Sequence, residues 1–131
     1  MATYTDIHCH ILPGVDDGPS NLEESLTLAC SLVKNGFSRV VATPHYIEDY
    51  SQDFRRTVEE QFACLSHALR EAGIPLTLYL GGELLLTPAL SKLAAERTLP
   101  TLNGTSYVLL ELPMFQPVPL YLRDVLFALQ T

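Results

Sequence analysis

Apolar residues along this chain alternate between short continuous runs and longer stretches where they recur every three or four positions. The first short run, Tyr4 to Cys9, gives way to the turn-rich PGVDDGPS. Ser20 then stands three residues before Glu23, the spacing of a capping box, and Leu22, Leu26, Ala29, Cys30 and Val33 follow at helical period until Gly36 supplies a stop. A second strand is predicted over Ser38 to Thr43, ending at Pro44 and His45. The next helix should run from Ser51 to Ala72, closed by Gly73, with Val58, Phe62, Leu65 and Leu69 as its inward stripe. Leu76 to Leu80 is a third strand, followed by Gly81, Gly82 and Glu83. Pro88 suits the first turn of a third helix through Glu96, because its missing N–H is not needed there. Strand four, Tyr107 to Leu110, leads to Glu111, and a last helix begins near Pro119.

This βαβαβαβα order predicts an α/β fold with a parallel sheet, since crossover helices are what join parallel strands. The strands show little alternation, as expected where both sheet faces are covered. With 131 residues and 47% hydrophobic content, the chain has the size of one domain with a real core. Its longest apolar runs, such as Leu84 to Leu86 and Tyr107 to Leu110, fall far short of the roughly 20 residues that span a bilayer. Asp6, His8 and His10 interrupt the place where a signal peptide would be apolar, so a cytoplasmic protein is expected. Fifteen acidic against eight basic residues, a formal charge of -7, disfavour nucleic acid as a partner. Cys9, Cys30 and Cys64 form no C-x-x-C pair, which argues against a disulfide framework and a zinc knuckle. At least two of them are expected to be buried small apolar residues.

Chemistry enters at the ends of the predicted strands. His8 and His10 close the first, His45 follows the second, Glu83 the third and Glu111 the fourth. In α/β folds these carboxyl ends are where sites are assembled. Residues i and i+2 of a strand share a face, so His8 and His10 can converge on one ion while Cys9 points away. For H-x-H alone, two strand histidines without metal is an equal reading, and Asp16, Asp17 and Gly18 alone make an ordinary turn. Glu83 follows two glycines that permit close backbone approach, and Glu111 sits in the apolar LLEL, where an ion or a salt bridge to Arg123 would offset its burial. Together these residues favour a metal site, and the DDG turn with His45 could complete a second coordination sphere. Mixed imidazole and carboxylate donors suit Mn, Fe or Zn.

One rival motif is Cys64 to Arg70, CLSHALR, with the C-x5-R spacing of thiol phosphatases. It lies inside a helical pattern without glycine, so a phosphate-cradling loop is not expected there. No G-x-S-x-G elbow, Walker A sequence or G-x-G-x-x-G fingerprint occurs.

DIHCHILPGVDDGP, then ATPH, LGGE, TPALSKL and TLNGTSYVLLELP, resembles the low-GC Gram-positive type of protein-tyrosine phosphatase. That is the capsule-biosynthesis branch of the polymerase and histidinol phosphatase (PHP) superfamily, and the resemblance spans essentially the whole chain. It implies the first part of a distorted (β/α)7 TIM-like PHP barrel, about four β/α units in a single domain over 1–131. It further implies manganese, two or three ions in the complete site, and hydrolysis of phosphotyrosine on a tyrosine kinase of capsular or exopolysaccharide biosynthesis by metal-activated water. By motif, His8 and His10 bind a first metal, Glu83 bridges it to a second also held by Glu111, and Asp17 and His45 hold a third. Asp16 is left as a neighbour that orients the turn.

The family's further histidine in an A-H-x-E-R-like segment and its later D-x-H pair have no counterpart before Thr131, where the chain stops inside its fourth helix. It therefore reads as the first half of a barrel, with exposed edge and apolar surface that invite self-association. Arg55 and Arg56 are the weak substitutes for the family's later phosphate-binding arginine. Two other readings stand beside this one: a PHP phosphoesterase acting on a small phosphorylated metabolite, and a non-catalytic truncated module.

Overall fold

The structure of the protein is a computed structural model, which describes residues 3–131. Its elements in chain order are β1 (Tyr4–Cys9), α1 (Leu22–Lys34), β2 (Phe37–Ala42), β3 (His45–Tyr46), α2 (Gln52–Glu71), β4 (Thr77–Leu80), β5 (Glu83–Leu85), α3 (Leu90–Ala95), β6 (Leu109–Glu111) and α4 (Leu122–Gln130), with a 3-10 turn at Leu102–Gly104. No helix among the described residues is long and apolar enough to cross a membrane.

The helices on the first half of the chain begin and end where side chains can satisfy their free backbone groups. The N-cap of α1 is Asn21, whose Oδ1 accepts from the Glu24 N–H at 2.9 Å. The expected box of Ser20 and Glu23 is thus displaced by one residue, and Ser20 instead donates to the Glu24 carboxylate from its N–H and hydroxyl. Ser51 caps α2 through the Phe54 N–H. At its other end Gly73 takes φ +65 while Ile74 N–H reaches the Leu69 carbonyl at 3.0 Å, the geometry that only glycine adopts without strain.

All strand pairs are parallel, but the single four-stranded sheet expected from sequence is replaced by two three-stranded sheets, β1-β2-β4 and β3-β5-β6. The second and third predicted strands stop close to where they are expected, but each is followed at once by a further short strand. Pro44 cannot donate to a ladder and splits β2 from β3, while Gly81-Gly82 separates β4 from β5. A Cβ on Gly82 would come within 2.8 Å of the Tyr46 ring, so the second break admits that ring. Pairing nevertheless continues across both breaks, Gly81 N–H donating to the Ala42 carbonyl and Glu83 N–H to the Pro44 carbonyl.

Two apolar cores result. The first packs Val58, Leu65 and Leu69 of α2 against Val40, Ala42 and Leu78 of the first sheet, with Ile11, Leu12 and Ala29. The second joins Tyr46, Leu84, Leu86, Leu90 and Val125. Of the cysteines, only Cys9 is half-buried. Cys30 and Cys64 are exposed, contrary to expectation, because Ala29 occupies the core-facing position of α1 and a step of one residue turns Cys30 toward solvent.

Candidate metal centre

Register and strand breaks bring the candidate residues together. His8 lies in β1, with His10 just beyond its end. His45 opens β3 and Glu83 opens β5, where the two are register partners; Glu111 ends β6 opposite Leu85. His45 and Glu83 thus begin short strands of the second sheet rather than trailing the predicted ones. The fully buried Thr43 fixes the end of β1, its N–H donating to the Cys9 carbonyl at 2.9 Å and its hydroxyl accepting from the Cys9 N–H at 3.0 Å. Ser25 secures the loop beyond His10 by donating its hydroxyl to the Ile11 carbonyl.

Six side chains converge there. His8 Nε2 and His10 Nε2 face the same Glu83 oxygen, Oε1, at 2.9 and 3.2 Å. His10 Nδ1 lies 3.0 Å from Asp17 Oδ1, which is also 3.4 Å from His45 Nε2. His45 Nδ1 is 3.2 Å from Glu111 Oε2. Three groups follow: His8, His10 and Glu83; His10, Asp17 and His45; His45, Glu83 and Glu111. Each pair of groups shares one residue, so the donors form a closed ring.

The electrostatics express this crowding. Burial alone would lower the His10 pKa, but the Asp17 hydrogen bond and the negative charges of Asp16, Glu83 and Asp17 outweigh it and leave it raised. Asp17 is held below its ordinary value, chiefly by its hydrogen bond from His10. Glu83 is only 5% exposed and faces imidazoles. Glu111 faces His45, with no ion pair to Arg123 among the described residues.

Other sequence candidates lie elsewhere. Arg55 donates from Nε to the Tyr50 carbonyl and from Nη2 to the Thr98 carbonyl, and Arg56 pairs with Asp53 on the exposed face of α2. Neither makes a hydrogen bond or ion pair with the six converging side chains among the described residues. Cys64 and Arg70 both lie within the continuous helix α2. Asp16 does more than shape its turn: its carboxylate accepts from the backbone N–H groups of Gly18 and His45. The sequence signal for the first bond is an aspartate two residues before a glycine; the second, long-range bond has none.

The donor set fits divalent cations. Metal–ligand bonds of about 2.0–2.2 Å place neighbouring donors roughly 3–3.5 Å apart, the spacing found here. A buried carboxylate oxygen facing two imidazole nitrogens is likewise a ready ligand arrangement.

Relatives point the same way. The chain is 35% identical over 125 residues to the tyrosine-protein phosphatase YwqE of Bacillus subtilis, covering 95% of this chain and 49% of that protein. It is 34% identical over 110 residues to the tyrosine-protein phosphatase CpsB of Streptococcus pneumoniae, covering 83% and 45%. A chain from the crystal structures of YwqE and CpsB, described as unique metal-dependent tyrosine phosphatases, superposes with a TM-score of 0.84 at 34% identity, over 97% of this chain and 51% of that one. The chain thus spans about half the length of the curated relatives it matches. Residues 4–130 match the model for capsular polysaccharide synthesis, CpsB/CapC, and the chain belongs to that family.

Proposed function

We propose that this chain carries the metal-binding part of a protein-tyrosine phosphatase site, acting on phosphotyrosine of a protein, a tyrosine kinase of capsular or exopolysaccharide synthesis. The observation that carries this reading is the ring of three donor groups sharing His10, Glu83 and His45. Glu83 would be common to two cations, with His8 and His10 completing the first and Glu111 the second, while Asp17 and His45 would hold a third. Manganese suits this mixed imidazole and carboxylate set, with iron and zinc as the alternatives. When bound, such cations neutralise phosphoryl charge and acidify water enough to make it a nucleophile near neutral pH.

The protein's own part is placement. Glu83 enters at the start of β5 because Gly81-Gly82 lets the chain bend around Tyr46, and the β3–β5 register sets it beside His45. No cysteine serves as nucleophile in this scheme. In architecture, the four β/α units are the opening part of a distorted (β/α)7 PHP barrel in a single domain. Three free thiols accord with a reducing, cytoplasmic location.

The test is hydrolysis of a phosphotyrosine peptide by the chelator-stripped chain as Mn²⁺ is restored, with metal uptake followed in parallel. Hydrolysis that rises with metal and disappears in His10→Ala and Glu83→Ala is expected. Metal uptake without turnover would reduce the chain to a binding module. Turnover indifferent to chelator and lost in Cys64→Ser would overturn the proposal.

A further inference from the structure

We propose that Asp16 is a positioning residue of this site: its carboxylate clamps the loop after β1 to the start of β3, and thereby holds His10 and His45 against one another. Its Oδ2 accepts from the His45 backbone N–H at 3.1 Å, a bond between residues 29 positions apart, and its Oδ1 accepts from the Gly18 N–H at 3.0 Å. The same Oδ2 lies 3.3 Å from His10 Nδ1, and the side chain is 7% exposed. Across this clamp the His10 and His45 rings meet edge to face, centroids 4.3 Å apart.

Strand topology explains the need for it. β3 stands at the edge of the second sheet, with β5 on one side and no strand on the other, because β1 ends at Cys9. A partly buried N–H there, left without an acceptor, would be destabilising. Asp16 supplies the acceptor from a loop, and does so beside two of the candidate ligands. The loop is closed tightly enough that a Cβ on Gly18 would lie 2.3 Å from the His10 carbonyl oxygen, so backbone contact as well as the carboxylate fixes its path.

The adjacent aspartates consequently divide their roles. Asp17 is 73% exposed and turns Oδ1 toward both His10 and His45. Asp16 has both oxygens committed to backbone donors and belongs to none of the three donor groups. A carboxylate fits the clamp because it accepts at both oxygens; an amide would set an NH₂ group against one of the two N–H donors.

As a statement about metal affinity, the inference rests on the proposed metal site; as a statement about the His45 backbone it does not. The test is therefore double. Asp16→Asn and Asp16→Ala are compared with the unaltered chain by Mn²⁺ titration and by amide hydrogen exchange resolved at His45 and Gly18. Both variants are expected to keep the exchange protection of β2 and β4 and to bind Mn²⁺ about 10–100-fold more weakly at unchanged stoichiometry, with Asn less affected than Ala; Ala loses the protection of the His45 amide, and Asn, with one acceptor oxygen left, loses that of either His45 or Gly18. Should Ala fail to fold, the near-isosteric Asn variant carries the comparison. Unaltered Mn²⁺ affinity in Asp16→Asn, His45 protection retained in Asp16→Ala, protection of both His45 and Gly18 retained in Asp16→Asn, or the loss of one bound ion per chain would overturn the positioning role. If the unaltered chain takes up no Mn²⁺, the proposed function fails, whereas the His45 amide still decides whether the clamp exists.

Discussion

The sheet β1-β2-β4 with α1 and α2, and the sheet β3-β5-β6 with α3 and α4, meet at the candidate metal centre, yet their local chemistry differs. In the first region Asn21 and Ser51 cap the helices with side-chain oxygens, and Gly36 and Gly73 take the left-handed conformations beyond their ends. In the second, Ala89 and Tyr121 stand at the N-caps without a side-chain bond, α3 is six residues long, and Arg97 occupies the left-handed position with φ 55. Large apolar side chains also stay in solvent there, Phe115 at 96% and Leu120 at 98% exposure. One region carries its specification locally, while the other depends on packing. The site draws His8, His10 and Asp17 from the first and His45, Glu83 and Glu111 from the second, so its assembly is limited by the weaker side.

Two leucines test this directly. Leu65 and Leu90 are both fully buried, one in each core. Truncating a buried leucine to alanine costs about 2–5 kcal/mol, depending on how far the surroundings can collapse. Leu65→Ala, on the 20-residue α2, is expected near the top of that range, and Leu90→Ala, on a short uncapped helix that can shift, near the bottom. Equal losses in denaturant unfolding would remove the distinction. A smaller effect of opposite sign is expected at Arg97. Its left-handed backbone is strained for any residue with a Cβ, so Arg97→Gly should raise stability by about 0.5–1 kcal/mol, read as a higher Tm.

The same contrast explains what was legible in the sequence. α2 was readable almost to the residue because Ser51, Gly73 and the stripe Val58, Phe62, Leu65 and Leu69 act through neighbours in the chain. Pro88 gave a weaker guide to α3, which starts only at Leu90, and α4 begins at Leu122 rather than near Pro119. The division into two sheets was not readable, since Pro44 and Gly81-Gly82 look like strand ends until Tyr46 and the resumed pairing are seen. Five of the six candidate site residues, His8, His10, His45, Glu83 and Glu111, could be named from position, because each lies at or near a strand terminus, whereas Asp17, in the turn beyond β1, was singled out only by the family resemblance. The role of Asp16 could not be named, because its bond to His45 exists only once β1 and β3 are brought together.

Exposed apolar residues of the second region provide a milder test. Phe115→Ser and Leu120→Ser remove side chains that bury almost nothing, so unfolding free energy should stay within about 0.5 kcal/mol of the unaltered chain. Sedimentation at high protein concentration should show less self-association in the double variant. A large loss of stability would mean that these side chains are covered in solution, and that the second region is better packed than its exposure suggests.

The smallest effect is kinetic and is read on the thiols. Cys30 and Cys64 are exposed, whereas the Cys9 thiol is pushed up to about 11, first by burial and then by the charges of Asp6 and Asp16. The raised pKa leaves little thiolate at Cys9 at pH 8, and it is the thiolate that reacts with an alkylating reagent. Its side chain moreover packs against the first core, and its backbone is bonded at both N–H and carbonyl to Thr43, so full access to the thiol requires the end of β1 to move. Alkylation under native conditions should therefore modify Cys30 and Cys64 and spare Cys9. The rate at Cys9 then measures opening of the first region at the strand that carries His8. If Cys9 reacts as fast as Cys30, β1 is loose despite its pairing, and the first region loses its claim to be the firmer side of the site.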